Sequence, residues 1–134
     1  MSAPLWTCDD LALACNGALF NPSVIGAPIF GIEIDSRNCS GGDLFIALTG
    51  DKRDGHDFLV KAANAGATAC LVSRPRGDLS AIQIIVDDTL EGLARLATAG
   101  RSRFKGRMIG ITGSVGKTGT KDMLSHTLAN FGKT

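Results

Sequence analysis

Tyrosine and long apolar runs are both missing from this chain of 134 residues. Aromatic side chains make up only 5% of the sequence, which disfavours nucleic-acid binding by base stacking because stacking needs aromatic platforms. No stretch approaches about 18 uninterrupted apolar residues, so neither a transmembrane helix nor membrane insertion is expected. Fourteen Lys and Arg stand against thirteen Asp and Glu, and this balance argues against a polybasic protein that binds nucleic acid.

The cysteines and the N-terminal sequence give no sign of secretion or of a metal centre. None of the four cysteines forms a C-x-x-C pair, and the two histidines are distant from them in sequence. We interpret the cysteines as small apolar side chains. The first residues, MSAPLWTCDD, lack the basic and apolar regions of a secretory signal. The sequence therefore predicts a cytoplasmic protein, since thiols stay reduced in the cytoplasm.

Residues 1–104 show strand and helix patterns in alternation, which predicts an α/β fold with a parallel or mixed sheet. Strands are predicted at 30–34, where apolar residues alternate as in a half-buried strand, and at 44–48, 68–72 and 82–86. A turn is predicted at Asn21-Pro22. Helices are predicted from their capping signals: one from Thr7, with Asp10 completing a capping box, to Asn16-Gly17; one from Asp57 to Gly66; and one from Asp88, with Glu91 completing a capping box, to about Arg103.

Charge is distributed unevenly along the chain. Residues 1–100 contain seven Lys and Arg and twelve Asp and Glu, whereas residues 101–134 contain seven Lys and Arg and one Asp. A change of sign of this size marks a functional or domain boundary. We therefore divide the chain into an N-terminal domain, residues 1–104, and the start of a second domain, residues 105–134.

A candidate phosphate-binding loop lies in the second domain. The apolar residues 108–112 predict a strand, the Gly-rich segment 113–118 follows, and a helical pattern comes after it. This order is typical of a P-loop, in which backbone N–H groups and a helix N-terminus surround phosphate oxygens. The spacing is G-x-x-G-K-T, shorter than the strict G-x-x-x-x-G-K-[ST], so an incidental Gly-rich loop is the alternative interpretation.

The residues of this loop have distinct predicted roles. Lys117 carries a mobile ammonium for the β and γ phosphates, and the Thr118 hydroxyl is a candidate Mg²⁺ ligand. We interpret both as the catalytic residues of the chain. The predicted nucleotide-binding residues are Gly113, Ser114, Val115, Gly116, Lys117, Thr118 and Gly119.

Two segments resemble the Mur ligases, ATP-dependent enzymes that build the peptide of bacterial peptidoglycan. ITGSVGKTGTKDML is similar to the central-domain loop of that family, commonly T-G-[ST]-N-G-K-T-[ST]-T, and departs from it at Val115 and Gly119. DSRNCSGGDLFIALTGDKRDGHDF, residues 35–58, is similar to an N-terminal-domain segment of two members. One of them adds the third peptide residue and the other adds D-alanyl-D-alanine. Leu5-Trp6-Thr7, DGHDF and TKDML look more like the second.

The resemblance implies a fold, a reaction and a set of binding residues. It implies a small N-terminal mixed α/β domain followed by the first strand, P-loop and helix of a P-loop ATPase domain. The implied cofactors are ATP and Mg²⁺, and the implied partners are UDP-MurNAc-tripeptide and D-alanyl-D-alanine. ATP would phosphorylate the terminal carboxylate of the tripeptide, and the amine would attack the acyl phosphate. The implied UDP-binding residues are Ile34, Ser36 and Arg37, with Asp51, Lys52 and Arg53 in a second loop.

Simpler interpretations of two segments stay open. Asp35-Ser36-Arg37 could be a strand end with an internal salt bridge, and His56 could make a helix-start contact with Asp54 or Asp57. No pair of carboxylates and no Ser-His-Asp set indicates a hydrolase.

Other functions are compatible with the sequence as well. They are the ligase that adds the third peptide residue, a P-loop kinase or NTPase fragment, and a non-catalytic module that binds a UDP-sugar. A P-loop domain needs several parallel strands around its loop, and the sequence ends just after the helix that follows the loop. We therefore expect an N-terminal fragment that is inactive as a ligase by itself.

Overall fold

The computed structural model describes residues 3–20 and 26–133, and it divides into two compact units, Met1–Arg103 and Phe104–Thr134. The turn predicted at Asn21-Pro22 lies outside the described residues. The first unit contains, in chain order, β1 (Trp6–Thr7), α1 (Cys8–Cys15), β2 (Ala18–Phe20), β3 (Pro28–Ile29), β4 (Gly31–Glu33), β5 (Asp43–Ile46), a 3-10 helix (Gly55–Phe58), α2 (Leu59–Ala65), β6 (Ala69–Val72), β7 (Ile82–Ile85) and α3 (Thr89–Arg103).

Five strands form a mixed sheet in the order β2-β7-β6-β5-β4. Strands β4 to β7 are parallel to one another, and β2 pairs antiparallel with β7 at the opposite edge from β4. β1 and β3 form a separate antiparallel pair. The carboxyl ends of the four parallel strands all lie at the same end of the sheet, so the loops that follow these strands lie there together.

The sheet separates two cores. Alternate side chains of a strand point to opposite faces. Leu44 and Leu71 therefore pack with α1 and α3, whereas Phe45 and Cys70 pack with α2. All four cysteines are buried free thiols, and burial raises the pKa of Cys70 to about 12. Their interpretation as small apolar side chains is confirmed.

Strand β4 orients its apolar residues differently from the prediction. Ile32 in the strand and Phe30 and Ile34, which flank it, are exposed, and Ile34 keeps 62% of its surface accessible. The intervening position Gly31 faces the buried Asp43, whose carboxylate occupies the space that a Cβ added to the glycine would need. Because this carboxylate fills the space on that side of the strand, the apolar residues take the outer side.

Local caps explain where the helices begin and end. The Thr7 hydroxyl accepts a hydrogen bond from Asp10 N at 3.2 Å, and α1 ends at Asn16 in the left-handed region. The Asp88 carboxylate accepts from Glu91 N at 2.8 Å, so both predicted N-caps are confirmed. Glu91 itself pairs with Arg95 instead of completing a capping box.

The predicted cap at Asp57 is wrong. The side chain of Asp54 caps the turn Gly55–Phe58 instead, and α2 begins at Leu59, one residue after the predicted first helical residue, with no side-chain cap of its own. The backbone explains the difference, because the chain enters this region through a 3-10 turn. Gly66 ends α2 in the left-handed region, as predicted.

The second unit consists of a long loop and one helix, α4 (Lys117–Leu128). The strand predicted at 108–112 does not form. A strand needs a hydrogen-bonded neighbour, and none of the described residues pairs with this segment. Across the described ranges 3–20 and 26–133, no helix combines the length and apolar character needed to cross a bilayer.

Candidate functional site

A cavity of about 480 Å³ lies beside the carboxyl ends of β4 and β5. Such a volume is in the range of small-molecule sites. The loop after β4 forms one side, the loop after β5 another, and the 3-10 turn with the start of α2 a third. The residues that line the cavity are Ile34, Asp35, Ser36, Arg37, Phe45, Leu48, Arg53, Gly55, Phe58 and Lys61.

Four of the six predicted UDP-binding residues meet at this cavity. Ile34, Ser36 and Arg37 come from the loop after β4, and Arg53 comes from the loop after β5. Ser36 is the buried member of the set. Asp51 and Lys52 are exposed and do not line the cavity.

The wall combines apolar side chains with cations. Phe45, Leu48 and Phe58 supply apolar surface, whereas Arg53 and Lys61 supply positive charge. Sequence reasoning missed Lys61, which lies three residues after Phe58. Positions three apart lie on the same face of a helix, so this spacing could have indicated that Lys61 joins the cavity.

Asp35 and Arg37 form the internal ion pair that the sequence suggested. Arg37 Nε donates to Asp35 Oδ1 at 2.9 Å, and Arg37 Nη2 donates to Asp35 Oδ2 at 2.6 Å. Arg37, with Lys61 as a smaller influence, holds the pKa of Asp35 below its usual range. The ion pair neutralises Arg37 within the protein, and Arg53 and Lys61 form no salt bridge with described residues.

Gly55 allows the loop after β5 to pack closely under the cavity. A Cβ added at this glycine would lie 2.7 Å from Ala47 C and from Leu48 N. Its backbone N–H donates to Leu48 O at 2.8 Å. Thr49 and Asp54 also form an antiparallel bridge that closes residues 49–54 into a compact loop.

The second unit places the predicted phosphate-binding loop at the start of α4. Gly113 and Gly116 have positive φ angles of 147° and 79°, and Gly116 is the N-cap of the helix. Ser114, Val115 and Gly119 are exposed. Lys117 Nζ donates to Gly113 O across the loop. A cavity of about 260 Å³ borders the loop and is lined by Ile109, Ile111, Lys117, Thr118 and Lys121.

The donor set near Thr118 suits Mg²⁺ only together with phosphate oxygens. The Thr118 hydroxyl is one hard oxygen ligand, and Mg²⁺ usually takes its other ligands from water and substrate phosphates. Within the described part of the chain, no group of three or more His, Cys, Asp or Glu could hold a metal ion. The described residues therefore fit a nucleotide-bound Mg²⁺ rather than a separate metal cage.

A mixed α/β sheet with a ligand-sized cavity beside the carboxyl ends of parallel strands is the arrangement of many nucleotide-binding α/β proteins. Within that class, the family model described as the catalytic domain of the Mur ligase family matches residues 28–101. The chain belongs to the Mur ligase family. The matched range includes the whole lining of the larger cavity.

The chain is also similar to individual ligases of known sequence or structure. The UDP-N-acetylmuramoyl-tripeptide--D-alanyl-D-alanine ligase of Synechocystis is 44% identical over 73% of this chain and 22% of that protein. MurF from Acinetobacter baumannii matches with a TM-score of 0.80 at 34% identity, over 93% of this chain and 28% of that one. MurF from Thermotoga maritima in complex with ADP matches with a TM-score of 0.60 at 35% identity, over 74% of this chain and 23% of that one.

These comparisons confirm the predicted family and the predicted α/β class. They also set the extent of the match, because the chain spans between 22% and 28% of the length of the three relatives described.

Proposed function

We propose that this chain is the substrate-binding part, with the start of the ATP site, of a ligase that joins D-alanyl-D-alanine to UDP-MurNAc-tripeptide. One observation carries the proposal: Ile34, Ser36, Arg37 and Arg53, which the family resemblance selected from two separate segments, line one cavity. The similarity to D-alanyl-D-alanine-adding ligases, at 44% identity in one case, favours this member of the family. In this proposal, residues 1–104 form the substrate domain and residues 105–134 begin the ATP-binding domain.

The composition of the cavity supports a nucleoside diphosphate as its occupant. The uracil ring has flat apolar faces that the half-buried Leu48 and Phe58 can cover. The diphosphate carries the negative charge that Arg53 and Lys61 can bind, and Arg groups pair with phosphate through two parallel N–H donors. Ser36 contributes a short hydroxyl that can bond a sugar or phosphate oxygen.

The loop 113–119 is the proposed site of the ATP phosphates. Lys117 supplies mobile positive charge that stabilises the phosphoryl group in transit, and the residues around Gly113 and Gly116 bring backbone N–H groups close to the phosphates. The Thr118 hydroxyl would hold Mg²⁺, which neutralises phosphate charge when it is bound with the nucleotide. The ADP in a similar structure from Thermotoga maritima supports this assignment.

In the proposed reaction, the γ-phosphoryl group of ATP transfers to the terminal carboxylate of the tripeptide, which yields ADP and an acyl phosphate. The amine of D-alanyl-D-alanine then attacks the acyl carbon, and inorganic phosphate leaves as the amide bond forms. We infer that this takes place in the cytoplasm, which the four buried free thiols support because thiols stay reduced there.

Calorimetric titration of the chain with UDP-MurNAc-tripeptide, UDP and ATP tests the proposal. We expect binding of both uridine ligands, and we expect the double substitution Arg53→Ala and Lys61→Ala to abolish most of it while ATP binding is unchanged. The control is Lys52→Ala, which removes a cation of the same loop that does not line the cavity. Tight ATP binding with no preference for uridine would instead indicate a P-loop kinase or NTPase.

A second assay separates the two related ligases. The complete ligase, assayed for ADP release with UDP-MurNAc-tripeptide, should respond to D-alanyl-D-alanine. A response to UDP-MurNAc-dipeptide with a diamino acid would assign the chain to the ligase that adds the third peptide residue. Ligase activity from the 134 residues alone would overturn the expectation that they need the remainder of the enzyme.

A further inference from the structure

His56 is a buried side chain that the proposed reaction does not use, and both of its ring nitrogens have partners. Only 7% of its surface is accessible. Its Nδ1 lies 2.7 Å from Asp54 Oδ1, and its Nε2 lies 3.0 Å from the backbone nitrogen of Ser73. Asp54 is the N-cap of the turn that contains His56, whereas Ser73 directly follows β6 and is remote in sequence.

The partners determine where the imidazole carries its proton. A backbone N–H can only donate, so the Nε2 atom that faces Ser73 must offer a lone pair. The proton therefore resides on Nδ1, which donates to the carboxylate of Asp54. His56 is thus a neutral Nδ1–H tautomer that accepts on one side and donates on the other.

Asp54 connects His56 to the loop that carries Arg53. Asp54 Oδ1 accepts from the backbone N–H of His56 at 2.9 Å and from the Thr49 hydroxyl at 3.3 Å. Its second oxygen pairs with Arg74, which follows Ser73. The same carboxylate thus joins both ends of loop 49–54 to the segment that follows β6.

Residues both before and after His56 in the sequence line the cavity. Arg53 precedes Asp54 and lines the cavity, and Gly55 and Phe58 line it as well. Gly50 N donates to Arg53 O at 2.9 Å, which closes the loop from within. A shift of loop 49–54 away from β6 would therefore displace the Arg53 cation.

We propose that His56 is a positioning residue for the diphosphate of the uridine substrate. By bonding Asp54 through Nδ1–H and Ser73 through Nε2, it fixes loop 49–54 to the sheet and holds Arg53 at the cavity. His56 does not itself line the cavity. This inference rests on the proposed function, because it concerns the same site and the same ligand.

Titration of the full chain with UDP tests the inference through three substitutions at one position. His56→Ala removes both bonds, and we expect UDP affinity to fall about tenfold, since the loss of one or two buried hydrogen bonds corresponds to that factor. His56→Asn can keep the bond to Asp54, and His56→Gln can keep the acceptor for Ser73, so each should restore part of the affinity. ATP affinity should not change in any variant.

His126 provides the matched control, because it is the only other histidine of the sequence and it is exposed on α4. His126→Ala should leave UDP affinity unchanged. Thermal melting of each variant separates loss of binding from loss of fold. If His56→Ala does not fold, the comparison of His56→Asn and His56→Gln with the unsubstituted chain still decides the question.

A spectroscopic measurement on the unsubstituted chain gives an independent readout. Long-range ¹H–¹⁵N NMR of the imidazole should show the Nδ1–H tautomer at pH 7, and an Nε2–H tautomer or a doubly protonated ring would overturn the inference. Folded His56 variants that all bind UDP as tightly as the unsubstituted chain would also overturn it. Failure of the unsubstituted chain to bind UDP would instead contradict the proposed function of the cavity.

Discussion

The two units of the chain differ in how their residues are held. In the first unit, both faces of the sheet are covered and the core contains fully buried side chains such as Phe45, Ile46 and Leu71. Among the described residues of the second unit, only Ile111, Leu124 and Leu128 are even half-buried. The first unit therefore has the apolar burial that drives folding, whereas α4 depends mainly on local backbone interactions.

This difference bears on the two candidate binding sites. The larger cavity is built on strands and turns whose positions are fixed by packing and by hydrogen bonds. The loop 113–119 has the residue types of a phosphate site and little packing around it. The geometry of the larger cavity is therefore fixed by a packed core, whereas the geometry of loop 113–119 is fixed by a few local hydrogen bonds. Four experiments can break or sharpen this contrast.

The largest expected effect comes from a cavity-forming substitution in each unit. Leu71→Ala removes a side chain with 0% of its surface exposed, and we expect it to lower the free energy of unfolding by about 3 kcal/mol. Leu128→Ala, in the second unit, should cost less than about 1 kcal/mol. Urea unfolding followed by the fluorescence of Trp6, the single tryptophan, reports on the first unit, and the loss of helical circular dichroism reports on α4 in the second. Equal losses from both substitutions would contradict the contrast between the units.

The next largest effect concerns the close approach at Gly55. Gly55→Ala places a methyl group against the backbone of Ala47 and Leu48, and we expect a loss of about 2 kcal/mol in the free energy of unfolding. Gly50→Ala is the control in the same loop, because its nearest contact is an ordinary 3.6 Å to Arg53 O. If both variants unfold at the same urea concentration, the loop after β5 is less constrained than the structure indicates.

Much of the first unit could be predicted from sequence because its signals are local. The N-cap at Thr7, the C-caps at Asn16 and Gly66, and the apolar runs of β5, β6 and β7 each follow from residue type and spacing. The face of β4 could not be predicted in this way. Its orientation depends on the carboxylate of Asp43, which comes from another strand. The prediction of a strand at 108–112 was wrong for a related reason, since a strand forms only beside a second strand that hydrogen-bonds with it.

The residues of the candidate site also fall into two groups, those that the sequence predicts and those that the fold adds. The predicted residues that line the cavity, such as Ser36 and Arg53, belong to the segments that resemble the family. Lys61 was missed although its helical spacing from Phe58 indicates it, whereas Phe45 joins the cavity only through the fold, because a buried strand brings it beside the loops. The cap at Asp54 was missed because Asp57 is also followed by a helical pattern, and only the 3-10 turn distinguishes the two positions.

A third experiment tests whether the two sites bind independently. Lys117→Ala should reduce ATP affinity about tenfold, since it removes a charge-assisted contact to phosphate. It should leave both UDP affinity and the urea midpoint reported by Trp6 unchanged. Lys133→Ala removes a cation of the same unit outside the loop and serves as the control. A change in UDP affinity with Lys117→Ala would show that the two sites are coupled.

The smallest expected effect is the acid dependence that Asp54 gives to the first unit. The backbone N–H and the side chain of His56, followed by Arg74, hold the pKa of Asp54 below its usual range. The unfolded chain therefore takes up the proton first as the pH falls. The stabilisation is fully present above the unfolded pKa of about 4 and is lost as the pH falls toward the folded value.

Asp54→Asn should accordingly weaken the first unit at neutral pH and flatten the decline of its urea midpoint between about pH 5 and pH 2. Asp35, whose pKa is lowered by Arg37, contributes in the same direction, so the decline should be reduced rather than removed. Asp122→Asn, in the exposed helix of the second unit, is the control and should leave the Trp6 transition unchanged. An undiminished decline in Asp54→Asn would show that the bonds between Asp54, His56 and Arg74 do not stabilise the charged carboxylate.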